Sequence, residues 1–204
     1  MSQPKTLSLE ERRQKILIAA RQVFEVDGTL EGGLRRIASA AGYTTGAIYK
    51  MFSGKEDIYA ALLEDSLLAL GRATARAAAI EADPEAALRD SSFAFIEYYQ
   101  ENMFEFRLGL YLFERDGVKG LGAERDRRLN ALLEEALDVF RACFQRIGGP
   151  GMGAERARAL SQALFAALIG VLAMRFSGRD RSLTTEWRKI LDTLLVAQIS
   201  LARG

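Results

Sequence analysis

The sequence predicts an all-α fold of about nine helices, and three of its features lead to this prediction. Apolar residues recur at intervals of three and four along almost the whole chain, which is the spacing of one helix face. No segment alternates apolar and polar residues over the length of a strand. Proline, which interrupts helices, occurs only three times in 204 residues. We therefore expect a bundle of helices without a β-sheet.

The first three helices have recognisable boundaries, and the second and third are short. Ser8 and Glu11 form the pattern of a capping box ahead of an apolar stripe that starts at Ile16. A second stripe fills Leu34–Ala41 and stops at a glycine, as helices often do. A third short helix is expected over about 44–52.

The later helices are longer. A second capping-box pattern, at 53–56, opens the fourth helix, and Pro84 suits the first turn of the fifth. A glycine-rich break at 148–153 separates the last two helices from those before them. The expected ranges after the fourth helix are 84–100, 102–114, 129–147, 154–176 and 184–202.

The composition excludes several classes of protein. The chain is 49% hydrophobic and 27% charged, which is typical of a soluble protein with one core, or one core and a small module. It has no histidine and one cysteine, Cys143, so histidine-based catalytic triads, histidine-containing metal sites and internal disulfides are ruled out. We expect no cofactor and no metal, and a buried, inert Cys143. No apolar signal segment opens the chain, and the longest apolar run has 12 residues where a spanning helix needs ~18, which favours the cytoplasm.

The near-zero net charge hides an asymmetry along the chain. The total of +1 by itself argues against a nucleic-acid partner. Residues 1–55, however, contain nine Lys and Arg against five Asp and Glu, whereas residues 56–204 contain 19 against 22. The first segment is therefore +4 and the second −3, and a basic segment of this kind is typical of a DNA-binding domain.

Residues 33–52 have the pattern of a helix-turn-helix motif, in which a tight turn at Gly42 joins two short helices. In such motifs the second helix enters the major groove of DNA with its N-terminal end first. Thr44 and Thr45 lie at that end, where their hydroxyls can cap the helix and reach a base or a phosphate. Gly46 keeps the same end slim enough for a close approach.

The rest of this motif divides between an inner and an outer face. Ile48 and Phe52, four residues apart, are expected to pack against the preceding helix. Tyr49 and Lys50 then face outward, where they can hold phosphates, and Lys55 lies at the start of the next helix. The candidate DNA contacts are Arg35, Thr44, Thr45, Gly46, Tyr49, Lys50 and Lys55. The alternative for the arginine is an ordinary solvated face, and for the tyrosine a partly buried core position.

The order of these residues resembles the DNA-binding region of the TetR family of bacterial transcriptional regulators. The similarity covers about 10–65, and its most specific part is the spacing Gly-x-Thr-x-Gly-x-Ile-Tyr-x-x-Phe-x-x-Lys-Glu over 42–56. The resemblance implies an all-helical homodimer with a DNA-binding domain at 1–55 and a recognition motif at about 33–52. It also implies that 56–204 form a helical domain for effector binding and dimerisation, and that the effector releases a palindromic operator.

Three positions depart from the family's usual pattern. Gly33 stands where Thr or Ser usually caps the second helix and contacts a phosphate, so that contact is in question here. Tyr43 replaces the usual Val or Ile, and Met51 replaces a frequent His. These departures bear on the operator sequence and not on the fold.

Ten aromatic residues fall within 93–144. At helical spacing such residues usually form plain core, yet those with hydroxyls can also line an apolar cavity with few polar groups. Because the family binds its effector between these helices, an apolar or aromatic ligand is expected. The candidate effector contacts are Phe95, Tyr98, Tyr99, Phe106, Tyr111, Phe140 and Phe144. Glu97, Glu101 and Glu105 are spaced by four and are compatible with a cationic ligand, but surface exposure is the preferred interpretation.

The last two long helices carry apolar residues on more than one face. One face can pack on the chain's own core, and the other is expected to pair with a second copy in a four-helix bundle. The candidate interface residues are Leu164, Leu168, Leu172, Leu191, Leu194 and Leu195. A monomer with a thicker core is the alternative.

Together these features predict a cytoplasmic, homodimeric, ligand-responsive DNA-binding regulator, with repression as the preferred mode of action. Its expected partners are a double-stranded DNA operator, a small apolar or aromatic effector and a second copy of the chain, with no membrane. Two alternatives remain open: the same fold serving as a scaffold for protein partners, and a helical enzyme that uses scattered carboxylates such as Glu97.

Overall fold

The computed structural model describes residues 7–27, 33–110, 121–182 and 185–204, and these ranges are helical almost throughout. No strand occurs in them, which confirms the all-α prediction. The helices are α1 (Leu9–Asp27), α2 (Leu34–Ala41), α3 (Thr45–Tyr49), α4 (Lys55–Ile80), α5 (Pro84–Glu101), α6 (Met103–Leu110), α7 (Ala123–Gly148), α8 (Ala154–Phe176), the four-residue α9 (Arg179–Ser182) and α10 (Trp187–Arg203). The candidate Tyr111 lies outside the described residues.

Side-chain caps explain where several helices begin. The predicted capping box before α1 is present: the Glu11 amide donates to Ser8 Oγ at 3.2 Å, and the Ser8 amide donates to Glu11 Oε2 at 2.7 Å. The bond from the Ser8 amide to the carboxylate, and after it the Ser8 side chain, hold the pKa of Glu11 below its usual value. Asp83 caps α5 through a 3.0 Å bond from the Ala86 amide.

The second predicted capping box, at 53–56, has a different acceptor. The Ser53 amide donates to Asp57 Oδ2 at 2.9 Å, so Asp57 takes the place expected of Glu56. The reason is the register of α4: with Lys55 as its first residue, the carboxylate of the third helical position is that of Asp57.

The chain divides into two compact units. The first comprises the described residues 7–27, 33–65 and 121–129, and the second comprises 66–110, 130–182 and 185–204. Both α4 and α7 therefore contribute to both units. The predicted boundary at residue 55 concerns the DNA-binding function, and it stays a prediction.

The first unit is built on α1, α2, α3 and the beginning of α4. The apolar stripe of α1 packs against α2, and Ile16, Ile37 and Ile48 are completely buried. Phe52 and Ile58 are buried as well, which fixes the start of α4 next to the end of α3. Burial of one apolar face of each short helix stabilises helices that would not form in isolation.

The core of the second unit is a single cluster drawn from α4, α5, α6, α7, α8 and α10. Phe95, Phe140 and Phe144 are completely buried in it. Helix α8 packs against α5 and α10. It is also long and apolar enough to cross a membrane, with a mean hydropathy of 1.7 over 18 residues, of which 28% are buried. One such helix is weak evidence for a membrane span, because length and composition alone do not distinguish it from a core helix of a soluble protein, and one side of α8 lies in the core.

Candidate nucleic-acid interface and effector site

A tight turn joins α2 to α3. Gly42 ends α2 with a φ of 72°, a left-handed conformation that glycine adopts without strain. Its amide donates to the Ser39 carbonyl at 3.1 Å, and the Tyr43 amide donates to the Ala38 carbonyl at 2.8 Å. These two bonds occupy the last carbonyls of α2 and turn the chain directly into α3.

Thr44 caps the N-terminus of α3. Its Oγ1 accepts a hydrogen bond from the Ala47 amide at 3.2 Å. The inner side of this segment is formed by the buried Ile48 and Phe52, as the four-residue spacing predicted. Tyr49 points the other way and is 59% exposed. The capping threonine and the tyrosine thus belong to a helical segment whose inner side packs on the core and whose outer side is exposed to solvent.

The N-terminus of α2 has no such cap. Gly33 occupies the capping position without a side-chain hydrogen bond, and nothing lies within 4 Å of where its Cβ would be. The first amides of α2 are therefore not occupied by the side chain at this position. A threonine or serine would fit there, so the absence of this cap reflects the sequence and not a lack of space.

The motif is basic and accessible. Residues 33–55 contain four Lys and Arg and no Asp or Glu. Arg35 and Lys50 are exposed, Lys55 is half-buried, and none of the three forms an ion pair within the part of the chain that the structure describes. None of the seven candidate DNA contacts is buried, and those from Thr44 to Lys50 lie together on α3 and its capping turn. Whether they touch DNA stays a prediction.

A buttress, by which we mean the hydrogen bonds of Arg125 of α7 to Asp57 and Ser53, holds the start of α4 in place. Arg125 Nε donates to Asp57 Oδ1 at 3.1 Å, and Arg125 Nη2 donates to Ser53 Oγ at 2.7 Å. Burial disfavours the charged carboxylate, but the bonds from Ser53 and Arg125 outweigh this effect and hold the pKa of Asp57 below its usual value. Close by on the same two helices, Arg128 Nε donates to Glu64 Oε1 at 2.6 Å. Sequence reasoning missed this buttress because 68 residues separate Asp57 from Arg125.

The predicted effector residues belong to a chain of ring contacts in the second unit. The ring of Phe95 lies 5.2 Å from that of Tyr99 and 6.3 Å from that of Phe140, measured between centroids. Tyr99 continues the chain to Phe106 at 5.6 Å. Phe144 lies in the same buried cluster. The structure thus brings all six described candidates into one core, and whether they bind an effector stays a prediction.

The three glutamates of this region lie in different environments. Glu97 is exposed and accepts a 2.8 Å bond from Arg188 Nη2, and Glu101 is exposed as well. Glu105, by contrast, is only 8% exposed. The expectation of surface exposure is therefore wrong for Glu105, because α6 turns this residue toward the core while the other two lie on the outer side of α5.

A cavity of about 460 Å³ lies between α4, α5 and α7. Its wall consists mostly of small side chains, with three charged residues among them: Gly71, Ala75, Ala78, Ala79, Ala87, Glu135, Ala136, Asp138, Val139, Ala142, Cys143 and Arg146. None of the six predicted aromatic contacts that the structure describes lines it. The sequence does carry a signal for this cavity, namely the alanines within 73–79 of α4. Small residues leave space where two helices face each other.

Cys143 lies in the wall of this cavity and is 3% exposed. Burial raises the pKa of its thiol, which the positive charge of Arg146 only partly offsets. The reactive thiolate form is therefore disfavoured at this position. No three potential metal-binding side chains come together within the described ranges.

The predicted interface leucines face inward for the most part. Five of the six are buried in the chain's own core, and Leu194 is partly buried against it. The outward face of α8 instead carries small apolar residues, and that of α10 carries two large exposed ones, Val196 and Leu201, each 60% exposed. One stripe of exposed residues on α8, spaced by three and four, consists of Ala159, Ala163, Ala166, Gly170 and Ala173; other exposed residues of the helix are polar or charged, namely Glu155, Arg156, Arg158, Gln162 and Arg175.

Comparison with known proteins agrees with the architecture of the first unit. Residues 16–62 match the model of a family described as bacterial regulatory proteins, tetR family. The chain is 34% identical over 129 residues to the HTH-type transcriptional repressor NicS of Pseudomonas putida. It is 32% identical over 112 residues to the HTH-type transcriptional activator FasR of Mycolicibacterium smegmatis. These matches cover 63% and 55% of this chain, and 59% and 50% of the two relatives.

Similarity of fold extends over most of the chain. The crystal structure of PfmR, a TetR family transcriptional regulator from Thermus thermophilus, superposes with a TM-score of 0.63 at 25% sequence identity. That match covers 82% of this chain and 86% of PfmR, and so reaches well beyond the first four helices. Residues 16–62, which contain the ordered motif from Gly42 to Glu56 and its surroundings, therefore match the TetR family of bacterial regulatory proteins, and the helical architecture beyond them is similar to that of PfmR.

Proposed function

We propose that this chain is a cytoplasmic, ligand-responsive transcriptional regulator that binds a DNA operator and is released from it by a small effector. The single observation that carries the proposal is the geometry of α2, Gly42 and α3. A capped helix of five residues presents Thr44, Tyr49 and Lys50 to solvent while Ile48 holds it on the core. That is the arrangement with which a recognition helix enters the major groove.

The contacts with DNA follow from the positions of these side chains. The first turn of α3, with Thr44, Thr45 and Gly46, approaches the base edges. Tyr49 and Lys50 at its far end, and Lys55 at the first turn of α4, contact phosphates. Arg35 adds a further positive charge from α2. Phosphate contacts release counterions, so affinity should fall steeply as the salt concentration rises.

The regulator is proposed to act as a homodimer. The outward face of α8, from Ala159 to Ala173, and the exposed Val196 and Leu201 of α10 form an apolar surface on two neighbouring helices. Two copies of this surface can pack as a four-helix bundle, in which small residues allow the helices to approach closely. The two recognition helices would then read successive major grooves, ~34–36 Å apart, on a palindromic site.

The effector is proposed to bind in the second unit. The cavity of about 460 Å³ has the size of a small-molecule site, and Ala87, Ala136 and Cys143 belong both to its wall and to the buried core. The aromatic chain through Phe95 and Tyr99 extends the same core. An effector with an apolar or aromatic body is therefore the best match. NicS is a repressor and FasR an activator, and we propose repression for this chain.

The DNA-binding function is tested on sheared genomic DNA from the source organism. Bound fragments are selected, sequenced, and measured by mobility shift at several salt concentrations. We expect selection of a palindromic site and a steep salt dependence. Lys50→Ala and Lys55→Ala should each weaken binding to all sequences alike and reduce the salt slope by about 1. Thr45→Ala should instead change the sequence preference.

Lys189→Ala is the matched control, since it removes an exposed lysine from α10 in the second unit. It should leave binding and salt slope unchanged. Failure to select any fragment, or equal effects of all the variants, would contradict the proposal. Recovery of a protein partner without DNA would favour the scaffold alternative.

A further inference from the structure

A lysine of α1 lies beside the turn between α2 and α3. Lys15 is exposed, while the next two residues of its helix, Ile16 and Leu17, are buried. The ammonium nitrogen of Lys15 lies 3.8 Å from the point where a Cβ of Gly42 would be. It also lies over the ring of Tyr43, 5.3 Å from the centroid. A residue outside the helix-turn-helix motif therefore brings a positive charge to the turn of that motif.

This charge is available to an anionic partner. Lys15 forms no ion pair within the ranges that the structure describes, whereas Arg21, further along the same helix, pairs with Glu25 at 3.1 Å. The motif that Lys15 faces, residues 33–55, contains no Asp or Glu. The face of an aromatic ring attracts an ammonium group without neutralising it. The positive charge at the turn is thus held in place but not cancelled.

The position of the turn decides which part of DNA this charge can meet. In a helix-turn-helix motif the second helix enters the major groove with its N-terminal end first, while the first helix crosses the DNA backbone. Gly42 ends α2, and Tyr43 directly precedes Thr44, which caps α3. The ammonium group of Lys15 therefore lies where the motif passes from the backbone into the groove. The DNA groups nearest to such a point are phosphates and not base edges.

We propose that Lys15 contacts a phosphate of the DNA backbone beside the recognition helix, and that Tyr43 is a positioning residue whose ring holds the ammonium group there. This inference rests on the proposed function, since it adds a contact to the same DNA interface. A free lysine side chain loses conformational entropy when it is fixed, and the ring reduces that loss on binding because the side chain is already placed. An aliphatic residue at position 43 has no ring to do this.

A purely structural role for Lys15 makes a different prediction. An ammonium group near the C-terminal end of α2 is also attracted by the negative end of the helix dipole. That attraction stabilises the folded protein and does not release counterions from DNA. The dependence of DNA binding on salt concentration therefore separates the two roles, because each phosphate contact adds about 0.9 to the slope of log affinity against log salt.

The test measures binding of the full chain to a fluorescein-labelled duplex of about 30 base pairs and random sequence. Fluorescence anisotropy is followed between about 50 and 200 mM salt. A random sequence suits the purpose because a phosphate contact carries no sequence information. Lys15→Gln should reduce the salt slope by about 1 and weaken binding about five- to tenfold at ~0.1 M salt. Lys15→Arg keeps the charge and should keep the slope of the wild type.

Further variants separate the contact from net charge and from packing. Arg21→Gln is the matched control, because it removes a positive charge from the same helix that Glu25 already pairs, and it should leave the slope unchanged. Tyr43→Leu removes the ring but not the ammonium group, so binding should weaken about two- to fivefold with little change in slope. Tyr43→Phe should bind like the wild type. Urea unfolding of each variant shows whether weaker binding reflects unfolded protein.

An unchanged salt slope in Lys15→Gln would overturn the inference and leave Lys15 a structural residue at the end of α2. An equal change in Arg21→Gln would overturn it as well, because the effect would then follow net charge and not position. Equal binding by Tyr43→Leu and the wild type would refute the role of the ring. A wild-type protein that binds neither this duplex nor genomic fragments contradicts the proposed function itself, and this inference with it.

Discussion

Gly42 and Thr44 together determine how the chain passes from the end of α2 to the start of α3. Gly42 makes the turn possible through its positive φ, and Thr44 starts the next helix through its side-chain oxygen. A five-residue helix gains little from its own hydrogen bonds, so its position depends on its two ends and on the burial of Ile48. Substitutions at these two positions should therefore lower the free energy of unfolding, whether or not the residues also contact DNA.

Replacing Thr44 with alanine should destabilise the first unit. The hydrogen bond from the Ala47 amide is lost, and such N-cap losses cost about 0.5–2 kcal/mol. The free energy of unfolding is measured by urea denaturation followed by circular dichroism. Thr44→Ser keeps the cap and should be nearly neutral, and Thr45→Ala, which removes no cap, is the matched control. A loss as large in Thr45→Ala as in Thr44→Ala would contradict the capping role.

Replacing Gly42 with alanine should cost about 1–2 kcal/mol, because an L-residue with a side chain is strained at a φ of 72°. The cause is backbone strain and not a clash, since the added Cβ would lie 3.8 Å from the nearest atom, Lys15 Nζ. Thermal or urea unfolding measures the change. Gly42→Asn is the control, and it should cost clearly less because asparagine tolerates this conformation. Equal costs for both variants would point to packing as the cause.

At the scale of elements, α4 is held at its first turn by α7. Arg125 connects the Asp57 carboxylate and the Ser53 hydroxyl, and Asp57 in turn accepts from the Ser53 amide. The start of the helix that follows the recognition helix is thus fixed by a residue from the far end of the first unit. This arrangement links the placement of Lys55 to a charge on α7.

Asp57→Asn should lower the free energy of unfolding at pH 7, by less than about 1 kcal/mol because the pair is partly exposed. The pKa of Asp57 is lowered in the folded state, so its contribution is present above the unfolded value and is lost as the pH falls through the folded one. The difference between wild type and variant should therefore be largest above about pH 5 and disappear in stronger acid. Urea unfolding across this pH range measures it. Glu134→Gln, at an exposed position of α7, is the surface control, and a difference that grows in acid would refute the assignment.

At the scale of the whole molecule, the distribution of apolar surface is the basis of the proposed dimer. Helix α8 is apolar on more than one face, yet only one face packs into the core. An apolar helix face exposed to water is unfavourable. A symmetric dimer would bury this face, because the same surface of each copy covers that of the other. Dimerisation is thus proposed for the face opposite the buried leucines.

Ala166→Glu should convert the dimer to a monomer. Residue 166 lies on the outward face of α8, where a glutamate would bury an unpaired charge against its symmetry mate. Sedimentation velocity measures the mass. Ala131→Glu, at an exposed position of α7, is the control and should remain dimeric. A monomeric wild type, or a dimer that persists in Ala166→Glu, would contradict the proposed interface. The monomeric variant should also lose affinity for a palindromic operator.

The sequence by itself determined the features that depend on neighbours three or four residues apart. Apolar periodicity predicted the helices, Ser8 and Pro84 marked two of their starts, and the motif around Gly42 and Thr44 predicted the turn and the start of α3. Local spacing suffices for these because helix geometry repeats every 3.6 residues. It also predicted correctly that Ile48 faces inward and Tyr49 outward, since only the direction relative to one adjacent helix was needed.

Only the tertiary structure decided which face meets which partner. Two apolar faces on α8 were visible in the sequence, but their assignment to core and surface required α5 and α10 to be in place. The bond between Arg125 and Asp57 and the small-residue cavity likewise join residues that are distant along the chain or on different helices. Burial and electrostatics depend on what surrounds a side chain in space, and helical periodicity carries no information about that.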